Sequence, residues 1–231
     1  MMQPIDTSPH TEPTHTETHV RRPETADDEA IAALFDSTLA LGEPLGFDLA
    51  RIAAYRRLCL GWYLGPGRDD AAVAVDAANR VVGYALVCTD EAAYERWMRP
   101  LAHRFIAGTF VALLTARLDR PSTRFYYDRA RDAFALRDNH RMRPMPAHAH
   151  LNVGRTQRSG SIALALRDHI DARCRLAGHP GWSGEINARA GTRRRALERI
   201  GLEVVSSEVN HTLSRTLGTE VIRLTVVRHL R

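Results

Sequence analysis

The sequence predicts an α/β (α+β) protein: one mixed, mostly antiparallel central sheet with helices on both faces. Three observations carry that reading. Residues 71–75 and 81–88 are β-rich runs joined through Asp76-Ala77-Ala78-Asn79-Arg80, the pattern of an antiparallel hairpin. Pro146-Ala147-His148-Ala149-His150-Leu151-Asn152-Val153 reads as a strand, apolar at every second position, that passes through a small, polar, cationic turn into a helix. Residues 202–213 and 220–229 alternate as two closing strands around Leu217-Gly218, a second antiparallel hairpin. The full order, β-α-α-β-β-(helices)-β-α-β-α-β-β, is that of a sheet covered on two sides.

Length and composition set the frame. A chain of 231 residues with 44% hydrophobic and 26% charged residues can bury one sizeable core but hardly two. A single domain is therefore expected over 19–231. Residues 1–18 are mostly Pro, Thr, His and Glu, cannot repay ordering entropy, and are expected to be a disordered tail. Its histidines, His10 and His15, with His19 beside them, are spaced too loosely to read as more than a solvated leader. No apolar run reaches bilayer length and no signal-peptide core is present, so the expected location is the cytoplasm, with no membrane partner. Cys59, Cys88 and Cys174 lie far apart, and no metal site or redox pair is expected from their spacing. All 32 basic side chains are arginine, which excludes chemistry that needs a lysine nucleophile. The net charge of +5 is spread along the chain apart from Arg193-Arg194-Arg195, and no nucleic-acid partner is expected.

Taken in order, residues 20–23 form a short strand, and Thr25 with Asp28 reads as a capping box opening a helix whose apolar face is Ile31, Leu34, Phe35, Thr38 and Leu39. The break Gly42-Glu43-Pro44-Leu45-Gly46 is a candidate substrate loop. A second helix follows from about Asp48 to Leu60 and ends near Gly65-Pro66-Gly67. After the first hairpin, residues 90–143 form a helical insertion before the fourth strand, broken at Pro100 and Pro121. Beyond the strand–turn–helix unit, residues 182–188 are a fifth strand, and residues 192–200 are a helix stopped by Gly201.

The turn before the long helix carries most of the chemistry. Such a turn leaves backbone N–H groups aimed at one spot where the helix dipole adds positive potential, which favours a phosphate. Ile162, Leu166, Ile170 and Cys174 then share one helix face.

The element order, the strand Pro146 to Asn152 and the turn Arg158-Ser159-Gly160-Ser161-Ile162-Ala163 together resemble the GNAT superfamily of acyl-CoA-dependent N-acetyltransferases, over about residues 19–231. More narrowly, Gly83-Tyr84-Ala85-Leu86, Tyr94-Glu95-Arg96-Trp97 and the Pro-Ala-His strand look like bacterial GNAT proteins related to the acetyltransferase-like domain of O-GlcNAcase. Two registers fit the family turn: Gln157 with Gly160 ending on Ile162, or Arg158 with Ser161 ending on Ala163. The second aligns without gaps from His148 and is preferred, although serine replaces the usual glycine.

The resemblance implies acetyl-CoA as cofactor. Backbone amides of Arg158, Ser159, Gly160, Ser161, Ile162 and Ala163 would hold its pyrophosphate. Leu151, Asn152 and Val153 would pair with the pantetheine amides as an added strand does. It also implies direct attack by an amine, small-molecule or peptide, with Glu185 and His150 as candidate bases and Asn152 orienting substrate or water. As isolated residues His148 and His150 read more readily as satisfied core groups than as catalysts, and Glu185 reads equally well as half of an arginine ion pair. The tyrosine acid common in such folds is replaced by Leu197, and Ala190 stands where an asparagine is usual, with Asn187 three residues earlier. A non-catalytic acyl-CoA-binding or sensing module is therefore the alternative. A monomer or homodimer is expected.

Overall fold

The computed structural model describes residues 18–140, 145–157, 160–191 and 194–230. The described strands are β1 (His19–Arg21), β2 (Ala72–Val75), β3 (Val81–Cys88), β4 (His148–Val153), β5 (Gly181–Arg189), β6 (Glu203–Val209) and β7 (Val221–His229). They form a seven-stranded sheet in the order β1-β2-β3-β4-β5-β7-β6. Every pairing is antiparallel except β4 with β5. The described helices are α1 (Asp28–Ser37), α2 (Ile52–Leu60), α3 (Glu91–Leu114), α4 (Arg120–His140), α5 (Gly160–Leu176), α6 (Arg194–Arg199) and α7 (His211–Leu217).

Alternation along the strands sends side chains to two separate cores. Ala72, Ala74, Ala85, Val87, Ala147 and Ala149 face α5, whose Ile162, Leu166, Ile170 and Cys174 stripe is buried against them. Val73, Val75, Tyr84 and Leu86 face the other way and pack with Ile31 of α1 and Leu60 of α2. Helices thus cover both faces, as the element order predicts.

Three local readings need correction. The helix start is set by Glu24 and Asp27 rather than Thr25 and Asp28: the Asp27 carboxylate accepts the Glu24 N–H at 2.7 Å and is held by Arg21, so a short 3₁₀ turn precedes α1. Pro100 does not break the insertion, because α3 runs straight through it. Only one helical hydrogen bond is lost there, and both Pro100 and Arg96, whose carbonyl is left over, are exposed to water. Pro121 stands in the first turn of α4, where a missing N–H costs nothing. The break falls instead at residues 115–119, where Ala116 takes a positive φ of 53°.

The closing segment is not a plain hairpin either. β6 stops at Val209, and α7 follows. Asn210, fully buried, accepts the Leu213 N–H at 2.9 Å. The buried Asp132 of α4 accepts the N–H groups of His211 and Thr212, each at 3.0 Å. Those caps make the alternating pattern of residues 210–213 helical.

Residues 1–17, on which the expected tail almost wholly falls, and Arg193 lie outside the described residues, as do Arg158 and Ser159 of the expected phosphate turn. Among the described residues, no helix is long and apolar enough to cross a membrane.

Candidate active site

β4 treats its two neighbours differently. Against β3 it pairs along its whole length, from Cys88 opposite His148 to Gly83 opposite Val153. Against β5 it pairs once, at His148 and Ser183, where the Ser183 N–H donates to the Ala147 carbonyl at 2.9 Å. Beyond that point the strands part. Leu151, Asn152 and Val153 have no ladder partner on β5 among the described residues.

A cavity of about 840 Å³ opens in the gap. It is walled by residues 151–153 of β4, residues 185–189 of β5, residues 38–43 beyond α1, and the first turn of α5. The first-turn amides of a helix have no intrahelical acceptors, so α5 presents positive potential at the cavity's end. Gly160 and Ala163 form the wall there, whereas Ile162 is turned into the core. A Cβ placed on Gly160 would meet nothing within 4 Å, so a ligand can approach its backbone closely.

Strand parity decides which side chains face the remainder of the cavity. Since Ala149, Trp182 and Ala188 lie in the α5 core, the even positions of β4 and the odd positions of β5 face the opposite side. His150, Asn152, Glu185 and Asn187 therefore share one face of the parted strands. Asn152 is clamped: its Nδ2 donates to Thr38 Oγ1 and, at 3.3 Å, to the Tyr84 hydroxyl. Burial pushes that hydroxyl up to about 12, opposed by the Asn152 contact, so Tyr84 stays protonated at neutral pH. Glu185 is one-third exposed, with Oε2 3.6 Å from Nε of the buried Arg223, which confirms the ion-pair reading of its environment without removing it from the cavity wall. His150 is exposed and lies two residues along from Asn152, its ring 5.7 Å from that of Tyr63, but it is not among the cavity-wall residues.

Leu197 is buried in the α5-side core and has no proton to give. The Asn187 side-chain Oδ1 accepts from Asn210 Nδ2 at 2.8 Å, which ties the β5 wall to the α7 cap. Thr38, Tyr84 and Arg223 were not singled out as site residues in the sequence. The Gly42-Glu43 break was, and both residues line the cavity.

No protein-family model matches the sequence, and no curated protein matches it. Solved structures do. An agmatine N-acetyltransferase in apo form superposes with a TM-score of 0.56 at 17% identity, over 92% of this chain and 99% of the other. The polyamine N-acetyltransferase of Drosophila melanogaster gives 0.56 at 17% identity, over 93% and 100%. A GNAT superfamily phosphinothricin acetyltransferase from Sinorhizobium meliloti, in complex with acetyl-CoA, gives 0.50 at 16% identity, over 92% and 88%.

The fold is the GNAT fold. Within it, the parted β4 and β5 and the start of α5 make one continuous groove, lined by Asn152 from β4 and Glu185 from β5.

Proposed function

We propose that this chain is an acetyl-CoA-dependent N-acetyltransferase acting on an amine by direct attack in a ternary complex. The observation that supports it most is the parting of β4 from β5 after a single residue pair, beside an exposed helix start. An extended amide-bearing ligand fits that gap: the open edge of Leu151, Asn152 and Val153 offers strand-like hydrogen bonds, and Gly160 leaves room for phosphate at the α5 amides. Arg158, Ser159, Gly160, Ser161, Ile162 and Ala163 are proposed as the pyrophosphate cradle. Bound acetyl-CoA supplies a thioester carbonyl to the attacking amine.

The protein's own part is orientation and proton handling. Asn152, fixed by Thr38 and Tyr84, orients substrate or a water. Glu185, 3.6 Å from Arg223 Nε, takes the amine proton, directly or through water; His150 is the second candidate. The acceptor is an amine of the small-molecule kind named for the similar structures, agmatine and polyamines included. The narrower kinship to the O-GlcNAcase acetyltransferase-like group belongs to the same proposal: its Tyr94 packs 4.8 Å from the His148 ring, joining two of the segments that carry the resemblance.

The test is calorimetry with acetyl-CoA followed by thiol release over an amine panel containing agmatine and spermidine. Binding with amine-dependent release of free CoA is the expected result. Binding without release from any amine favours the sensing module, the reading that Leu197 supports. No binding at millimolar acetyl-CoA overturns the proposal.

A further inference from the structure

A second cluster of reactive side chains lies at the closed end of β4, away from the cavity wall. Cys88 ends β3 and is paired directly across the ladder with His148, the first residue of β4. Glu91 opens α3, three residues beyond Cys88. The Cys88 thiol, a Glu91 carboxylate oxygen and a His148 ring nitrogen all lie within 4.8 Å of one another. Cys88 and His148 are buried, while the Glu91 side chain is 27% exposed and gives the cluster a way in from solvent.

We propose that Cys88, Glu91 and His148 bind a divalent cation of the zinc class, tying the start of α3 to the β3–β4 pair. Sulfur, imidazole nitrogen and carboxylate oxygen together suit zinc and disfavour magnesium or calcium, which take oxygen. Tetrahedral zinc, with bonds of about 2.0–2.3 Å, holds its ligand atoms roughly 3.3–3.8 Å apart. The three atoms, all within 4.8 Å, therefore have to adjust by no more than about 1 Å, the Glu91–His148 pair opening from its present 2.8 Å. Three protein ligands leave a fourth position for water on the open side.

The surroundings of His148 fit a metal ligand. Its Nδ1 lies 2.8 Å from Glu91 Oε2, and its Nε2 lies 2.8 Å from the Tyr63 hydroxyl. When Nδ1 takes the cation, Nε2 carries the proton and donates it to Tyr63, whose hydroxyl serves in either direction. Cys88 binds a cation as its thiolate, so its proton leaves and binding tightens as pH rises. The sequence hid this set because its three ligands come from β3, α3 and β4, with Cys88 and His148 60 positions apart.

The experiment uses the full chain stripped with chelator, then titrated with Co²⁺ and displaced with Zn²⁺. The expected result is one Co²⁺ per chain with a thiolate-to-cobalt charge-transfer band, which the histidines near the N-terminus cannot produce. The band should vanish in Cys88→Ser and persist in Cys59→Ser. Glu91→Gln, at the solvent edge, should weaken binding about tenfold or more, and it decides the matter if Cys88→Ser does not fold. Absence of the band at one equivalent, its survival in Cys88→Ser, or unchanged affinity in Glu91→Gln overturns the proposal.

Discussion

β3 and β5 both border β4, yet one interface is zipped over the whole strand and the other is held by a single residue pair. The zipped side is a scaffold: its alternating Ala, Val and Leu fill two cores, and no β3 residue lines the cavity. The parted side keeps the same strand's second edge, with its peptide groups, open to the cavity. A sheet normally avoids an unpaired edge, since it invites association. Here the edge is internal and sheltered by residues 38–43, so only a narrow, extended ligand reaches it. Substitutions on the open side should therefore change binding and rate with the fold intact, and those on the closed side should do the reverse.

The largest effect is expected at Glu185. Glu185→Gln keeps the shape and removes the basicity, so turnover at saturating acetyl-CoA should fall by roughly 10²–10⁴-fold while thermal stability hardly moves. An unchanged rate would assign Glu185 to its Arg223 ion pair alone and pass the role of base to His150, testable by His150→Asn.

Next comes the helix start. Gly160→Asp puts a carboxylate where a Cβ meets nothing within 4 Å, and an acidic residue in a first helical turn is tolerated or stabilising. It should nonetheless weaken acetyl-CoA binding by about 10–100-fold, near 1.4–2.7 kcal/mol, by facing the pyrophosphate with like charge. Equal binding in calorimetry would remove the α5 amides from the anion site.

On the closed side, Asp27→Asn should cost stability and spare activity. Asp27 accepts from Arg21 at 2.6 and 2.9 Å and from the Glu24 N–H at 2.7 Å. Losing the charge on a partly solvated group should cost roughly 1–2 kcal/mol, a drop of about 2–8 °C in Tm for a chain of this size. The Arg21 hydrogen bond, acting against burial, holds this carboxyl below its usual value of 3.8. Its contribution is present above pH 3.8 and lost as pH falls through the lower folded value. The variant's acid unfolding profile should lack that component.

The same contrast explains what the sequence revealed. Strand parity and the Leu166, Ile170 and Cys174 stripe are period signals, and they placed the hairpin, β4 and α5 within a few residues. Where a side chain at a distance overrides the local pattern, sequence reasoning failed. Asp132, nearly 80 positions upstream, caps residues that alternate like a strand and turns them into α7. The site divides likewise. Asn152 and Glu185 were legible because their strands were, but their partners Thr38, Tyr84 and Arg223 come from the end cap of α1, from β3 and from β7. Nothing in residue spacing announces a contact between elements that only the sheet order brings together. The zinc-class cluster is the extreme case, since ligand spacing was the criterion by which a metal was not expected.

The smallest expected effect is a pH dependence confined to the closed side. His169 lies on α5 with Nε2 3.0 Å from the Asp70 carbonyl, a contact that a neutral ring satisfies by donating. Burial lowers its pKa from 6.5; the Asp70 carbonyl and carboxylate oppose this, while Arg173 and Arg22 reinforce it. Because the folded value is the lower one, the stability His169 contributes is complete above pH 6.5 and is lost as pH falls through that lower value. His169→Gln keeps an N–H donor for the Asp70 carbonyl but has no proton to gain. Tm measured between pH 7.5 and pH 5 should therefore fall less steeply in the variant than in the parent. Acetyl-CoA affinity should be the same in both, because His169 is not part of the cavity wall. If the two Tm profiles stay parallel, burial of the imidazole is not what links this side of the sheet to pH. If affinity changes instead, the closed and open sides of β4 are coupled through α5, and the division of labour between them fails at that helix.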